Sequence, residues 1–177
     1  LQIGNDIDGA SVRDSAGQSV SLSKDGNVLA IGSPLHDVNG YGINENSGHT
    51  RIYQYSSGSW SQLGSDIDGV GQQDFSGYSV SLSDDGTIVA IGAYGSDGSQ
   101  FNNGHTRIYQ YSSGSWSQLG SDIDGDEAYD SSGVSVSLSA DGSIVAIGAN
   151  GDRYNGSGIG HTRIYQYSSG SNSWSQL

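Results

Sequence analysis

The chain has 177 residues, a third of them hydrophobic, with a formal net charge of -13 and no cysteine. An isoelectric point near 4.2 argues against nucleic acid and anionic membrane surfaces as partners. The lack of Cys excludes disulfides and thiolate metal centres, and no apolar run approaches the roughly 20 residues of a spanning helix, so no membrane insertion is expected.

The segment GHTRIYQYSSGS occurs letter for letter from Gly48, Gly104 and Gly160. The chain is therefore a single repeat domain, 1–177, of three units over approximately 3–62, 63–118 and 119–177. Aligned on Ile3, Leu63, Leu119 and Leu177, the repeats are 60, 56 and 58 residues long. Each contains four strand-length apolar segments and no helical apolar period.

The first segment is Ser19–Ser23, matched by Ser79–Ser83 and Ser135–Ser139. Its Ser/Val/Leu alternation is a period-two strand, with a serine face small enough for another sheet to approach closely. An Asp-Gly pair follows (Asp25, Asp85, Asp141), a hairpin signal because Gly accepts positive φ. The second segment, Val28–Gly32 with Ile88–Gly92 and Ile144–Gly148, is apolar on both faces and should be buried on both sides. After a polar loop comes Thr50–Tyr55 and its copies, then a Ser-Ser-Gly-Ser turn, then Trp60–Leu63, with Trp116 and Trp174 equivalent. Length differences fall in turns: the loop 33–47 is longest in the first copy, and the last hairpin gains two residues around Asn172.

A four-stranded meander at this period reads as an all-β propeller blade. The β-trefoil and β-prism, which also carry internal threefold repeats, rank lower. Three blades leave two open apolar sheet faces. The expected partner is a second copy, giving a six-bladed ring as a homodimer; an excerpt from a longer array is the other reading.

Three stretches, Phe75-Ser-Gly-Tyr-Ser-Val-Ser, Ile88-Val-Ala-Ile-Gly-Ala93 and Gly104-His-Thr-Arg-Ile-Tyr109, resemble the FG-GAP repeat. That repeat is the blade of integrin-α-like propellers and of some propeller lectins, and the resemblance covers nearly the whole chain. It implies a non-enzymatic, adhesin-like or lectin-like module that binds a glycan or a protein and is secreted or on the cell surface. The chain departs from the family where a calcium loop often joins the first two strands: a short Asp-Gly turn stands there.

In a propeller, the loops between strands two and three and between blades share one end. All but four of the nineteen acidic residues fall there, the exceptions being Asp25, Asp84, Asp85 and Asp141. Within that face Asp-x-Asp-Gly-x4-Asp recurs as Asp6/Asp8/Asp14, Asp66/Asp68/Asp74 and Asp122/Asp124/Asp130, and Asp126 joins the third set. Hard oxygen ligands at this spacing can wrap calcium; equally, they can accept hydrogen bonds from turn amides and fix the linker. His49, His105 and His161 recur with Arg51, Arg107 and Arg163 two residues on. They read either as a triple sugar or anion site or as a structural bond repeated with the blade. His36 is the one histidine without a counterpart, and it sits in the long loop beside Asp37. The tryptophans either stack on sugars or pack the outer strand. Asn155-Gly-Ser157 is a glycosylation-type sequon. No Ser-His-Asp or paired-carboxylate arrangement is specified, so no enzyme is expected. A purely structural assembly fragment is the first alternative and a hydrolase the lesser one.

Overall fold

A computed structural model describes residues 2–37, 45–98, 100–151 and 159–177. Three antiparallel sheets follow one another along the chain. The first runs β1 (Ser19–Leu22), β2 (Val28–Ser33), β3 (His49–Ser56), β4 (Ser59–Gln62). The second repeats it as β6 (Ser79–Leu82), β7 (Ile88–Ala93), β8 (His105–Ser112), β9 (Ser115–Gln118). The third is β11 (Ser132–Leu138), β12 (Ile144–Ala149), β13 (His161–Ser168), β14 (Ser173–Gln176). The register repeats as well: Ala30 faces Ile52, Ala90 faces Ile108 and Ala146 faces Ile164. Separate four-stranded meanders of this kind are neither a trefoil nor a prism.

The Asp-Gly turn forms for a local reason. Asp25 Oδ1 accepts from Ser23 Oγ at 2.7 Å and from the Asn27 amide at 3.0 Å, while Gly26 takes φ 72°. The same device recurs around Asp85 and Asp141. Two elements were not foreseen. The linker residues β5 (Ile67–Asp68) and β10 (Ile123–Asp124) fold back as short strands on the starts of β3 and β8. Their isoleucines point inward, 6% and 7% exposed.

The serine face of each first strand seats the next sheet. Ser19 Oγ donates to Gly77 O at 2.7 Å and Ser79 Oγ to Gly133 O at 2.8 Å. Ser21 Oγ accepts from Leu82 N, and Ser81 Oγ from Leu138 N, both at 3.0 Å. Glycine on the second strand makes room: a Cβ on Gly32 or Gly92 would overlap the carbonyl oxygen of Gly77 or Gly133. Between the first two sheets lie Ala30, Ile52, Val80, Leu82, Val89 and Ile91; between the second and third lie Ala90, Ile108, Val145 and Ile147.

The outer faces of the stack are open. Val20 and Leu22 are 61% and 57% exposed, against 9% and 7% for Val80 and Leu82. At the other end Ile164 is 45% exposed, where Ile52 and Ile108 are fully buried.

Candidate functional site

The recurrent His-Thr-Arg triplet begins each third strand at the loop end. Arg51 grips Asp66 with Nε at 3.0 Å from each oxygen and Nη2 at 2.7 Å from Oδ2. Arg107 grips Asp122 the same way, at 2.9 and 2.7 Å. Arg163 instead reaches Asp126 at 2.8 Å. All three guanidiniums are engaged by carboxylates. The Arg51 hydrogen bond holds the Asp66 carboxyl below its usual range. Burial raises Asp122, but the bonds from Arg107 and Gln118 outweigh it and the net direction is down. Asp68 and Asp124 go the other way, raised first by burial and then by the neighbouring Asp66 and Asp122.

The three aspartates of each repeat do not converge. Asp74 Oδ2 accepts from Gly71 N at 2.8 Å, Asp14 Oδ2 from Ser11 N at 2.7 Å, and Asp130 Oδ2 from the Asp126 and Glu127 amides at 3.0 and 3.1 Å. The last aspartate thus closes its own turn. The first two stay at the foot of the preceding blade, where Asp66/Asp68 meet His49 and Asp122/Asp124 meet His105. Asp6 is bonded to Gln2 at 2.7 Å, and Asp8 lies in a narrow crevice with His49 and Arg51. In the third set Asp126 and Asp130 lie toward Arg163, at 2.8 and 3.9 Å, and Asp122 and Asp124 toward His105.

The tryptophans pack rather than present. Trp60, Trp116 and Trp174 donate to the carbonyls of Ile3, Leu63 and Leu119 at 3.2, 2.8 and 2.8 Å, clasping the incoming linker. The sequon at 155–157 and the middle of the long first loop, 38–44, fall outside the described residues.

A cleft of about 340 Å³ opens at the loop end between the second and third blades. Phe75 stacks on Tyr94 at 5.1 Å with planes 8° apart, and Tyr78 meets Tyr94 edge-on at 4.5 Å. Tyr129, itself 5.4 Å from Phe101, faces them from the third blade. The amides of Gln73, Asn102 and Asn150 supply polar edges, and no Lys or Arg lines the cleft among the described residues. These side chains are not repeated. Phe75 corresponds to Ser15 and Ser131, Tyr78 to Gln18 and Val134, and Tyr94 to Pro34 and Asn150. The left-handed φ of 54° at Phe75 is shared by Ser15 and Ser131, at 54° and 52°, so that backbone conformation belongs to the repeat and only the side chain is particular to the second blade. Reading the repeats for what they share passes over this cleft. The signal lay in the positions where the middle copy differs.

Beside the cleft-lining Gly95 stands Ser96, whose Oγ is 2.7 Å from His105 Nδ1. Both are buried, 5% and 4% exposed. Burial, then the Arg107 charge, pushes the His105 pKa down to about 4 against the pull of Asp122 and Asp74. Its imidazole is neutral at pH 7.

No family model matches the chain, and no curated protein does. Its architecture is similar to that of solved structures. Sqt1 of Saccharomyces cerevisiae matches with a TM-score of 0.57 and 13% identity over 94% of this chain. A putative 6-phosphogluconolactonase of Bacteroides uniformis matches at 0.55 and 13% over 89%, and the periplasmic gluconolactonase of Pseudomonas aeruginosa at 0.55 and 17% over 85%. The chain spans 35%, 38% and 39% of those three chains. At such identity the likeness concerns the fold, which is propeller-like.

The expectation of a non-enzymatic binding or assembly module is corrected here. Several solved structures of this architecture carry lactonase names. The cleft around Phe75, Tyr78 and Tyr94 is moreover a constellation that the repeat does not copy.

Proposed function

We propose that this chain carries the substrate cleft of a propeller hydrolase that opens the cyclic ester of an uncharged sugar acid. The observation that carries the reading is the non-repeating aromatic and amide cleft between the second and third blades. Aromatic faces cover the C–H surfaces of a sugar-sized ring, and amides meet its hydroxyls. Ser96 and the neutral His105 form the adjacent hydroxyl-and-base pair, able to take a proton from the oxygen that attacks the lactone carbonyl. The attacking oxygen is that of a water: its C–O bond to the carbonyl carbon forms, the ring C–O bond breaks, the leaving alkoxide takes up the proton that His105 received, and the acid formed loses its remaining proton to solvent as a carboxylate. The lactonase names among similar solved structures agree with this chemistry. Charge selects within it: an acidic loop face and a cleft without Lys or Arg disfavour a phosphorylated lactone and help expel the anionic product. The test is acid release from glucono-δ-lactone in a pH-stat, corrected for the spontaneous rate. Acceleration that falls at least about tenfold in S96A supports the reading. A rate equal to the blank, or a preference for the 6-phosphate, overturns it.

A second copy of the chain is proposed to cover the open faces. The exposed Ser135 and Ser137 of the third blade match Ser19 and Ser21, which seat the second blade on the first. The exposed Val20 and Leu22 match Val80 and Leu82, which are buried in that same contact. The two faces are complementary halves of an interface the chain already forms twice. A six-bladed ring would bury both, and light scattering should return twice the chain mass. A monomer at all concentrations refutes it.

A further inference from the structure

The first blade carries a different departure from the repeat, apart from the cleft. Its position 36 is His where the second blade has Ser96. In the second blade Ser96 satisfies His105 Nδ1 at 2.7 Å. In the first blade the His36 ring occupies that place, 4.0 Å from the His49 ring with planes tilted by 41°. The Nδ1 atoms of His36 and His49 are both shielded from solvent and both without a hydrogen-bond partner. His49 as a whole is 1% exposed. A buried polar group without a partner is destabilising, a penalty the second blade avoids with one serine.

The third member of the group is Asp14, 4% exposed. Its Oδ2 lies 3.1 Å from His36 Nδ1, yet the two are not aligned as donor and acceptor. Asp14, His36 and His49 each offer one donor atom, all within 4.8 Å of one another. The scaffold holds them. Leu35 N donates to Asp14 O at 3.3 Å, Gly48 N to His36 O at 2.9 Å, and Ser11 N to Asp14 Oδ2 at 2.7 Å.

We propose that Asp14, His36 and His49 bind a divalent transition metal of the zinc class. Two imidazole nitrogens and one carboxylate oxygen are a zinc-type donor set. Bonds of about 2.0–2.1 Å in a tetrahedron place ligands roughly 3.3 Å apart, close to the 3.1 Å already between His36 and Asp14. Calcium is disfavoured, because it asks for six to eight oxygens. Asp66 approaches His49 Nδ1 to 4.0 Å, but it is held by Arg51 and by Gln62 at 2.6 Å. The Asp14–His36 side is therefore where His49 finds free donors beside it. His36, with 15% of its side chain exposed, marks the route in from solvent. The Ser11 amide acts as the outer contact that orients the carboxylate.

Zinc chloride titrated calorimetrically into the intact, EDTA-stripped chain tests this. One zinc per chain is expected, with a rise in thermal midpoint. H36S copies the second blade's own arrangement, so it should fold and lose the site. D14N, checked for folding by circular dichroism, should weaken binding at least about tenfold. Cobalt should give visible absorption of a tetrahedral nitrogen/oxygen site in the wild type and not in H36S. The proposal is overturned by failure of zinc to bind, by equal stoichiometry and affinity in H36S, or by calcium displacing zinc at comparable concentration.

Discussion

Gly92 and Gly148 occupy the same place in successive blades, and their substitution separates stacking within the chain from stacking between chains. A methyl on Gly92 would run into the carbonyl of Gly133 in the next blade. That obstacle is main chain, held by the Ser79 bond at 2.8 Å, and cannot swing aside as a side-chain tip can. Overpacking costs about 1–3 kcal/mol, and a backbone obstacle belongs at the upper end. For a domain of this size about 3 kcal/mol lowers the thermal midpoint by roughly 6–12 °C. A methyl on Gly148 meets the Ser135 side chain and, within one chain, no backbone of a following blade at clashing distance. G148A should therefore cost under about 1 kcal/mol within the chain, yet it places a methyl where the second copy's inner strand must lie. Thermal unfolding followed by near-ultraviolet circular dichroism, with light scattering on the same samples, reads both effects. G92A should melt early, and G148A should fold as a monomer. Equal midpoints measured on monomeric G92A and G148A would refute the stacking argument. A G148A dimer as tight as the wild type would refute the proposed closure.

Y94A removes the ring that both Phe75 and Tyr78 pack against, so KM for glucono-δ-lactone should rise about tenfold or more with kcat less affected; an unchanged KM would detach the cleft from the substrate. His105 should make stability acid-sensitive. Its folded pKa of about 4 lies below the unfolded value near 6.5, so between those pH values the unfolded chain binds the extra proton and stability falls as pH falls through that window. At pH 5, in EDTA, unfolding should take up about 0.9 proton at this site, and H105Q should remove that share of the slope of midpoint against pH. S96H gives the second blade the first blade's histidine pair, with Asp74 standing where Asp14 does, and zinc stoichiometry should rise from one to two. Stoichiometry unchanged in a folded S96H protein would count against the three-ligand geometry.

The strand plan was legible because its signals are local. Ser/Val alternation, Asp-Gly turns and a twice-apolar second strand each act within a few residues, and three copies confirmed one another. Outer-strand packing of the tryptophans was one of two readings open in the sequence, because Trp60, Trp116 and Trp174 recur with the blade. The short strands at Ile67 and Ile123 were not, since two residues carry no period. The sites escaped for a related reason. Phe75, Tyr94 and Tyr129 are up to 54 residues apart and share a cleft only because one blade stacks on the next. His36 stood out in the sequence as unrepeated, but Asp37 looked like its companion. The fold instead turns it toward Asp14 and His49, while Asp37 accepts the Asn46 amide at 2.7 Å. Spacing grouped the aspartates by threes along the chain. The stacked sheets regrouped them by depth, two at the foot of one blade with its histidine and one capping the turn into the next. Repetition determined the blade; side-chain convergence, which depends on how blades meet, was decided by tertiary packing alone.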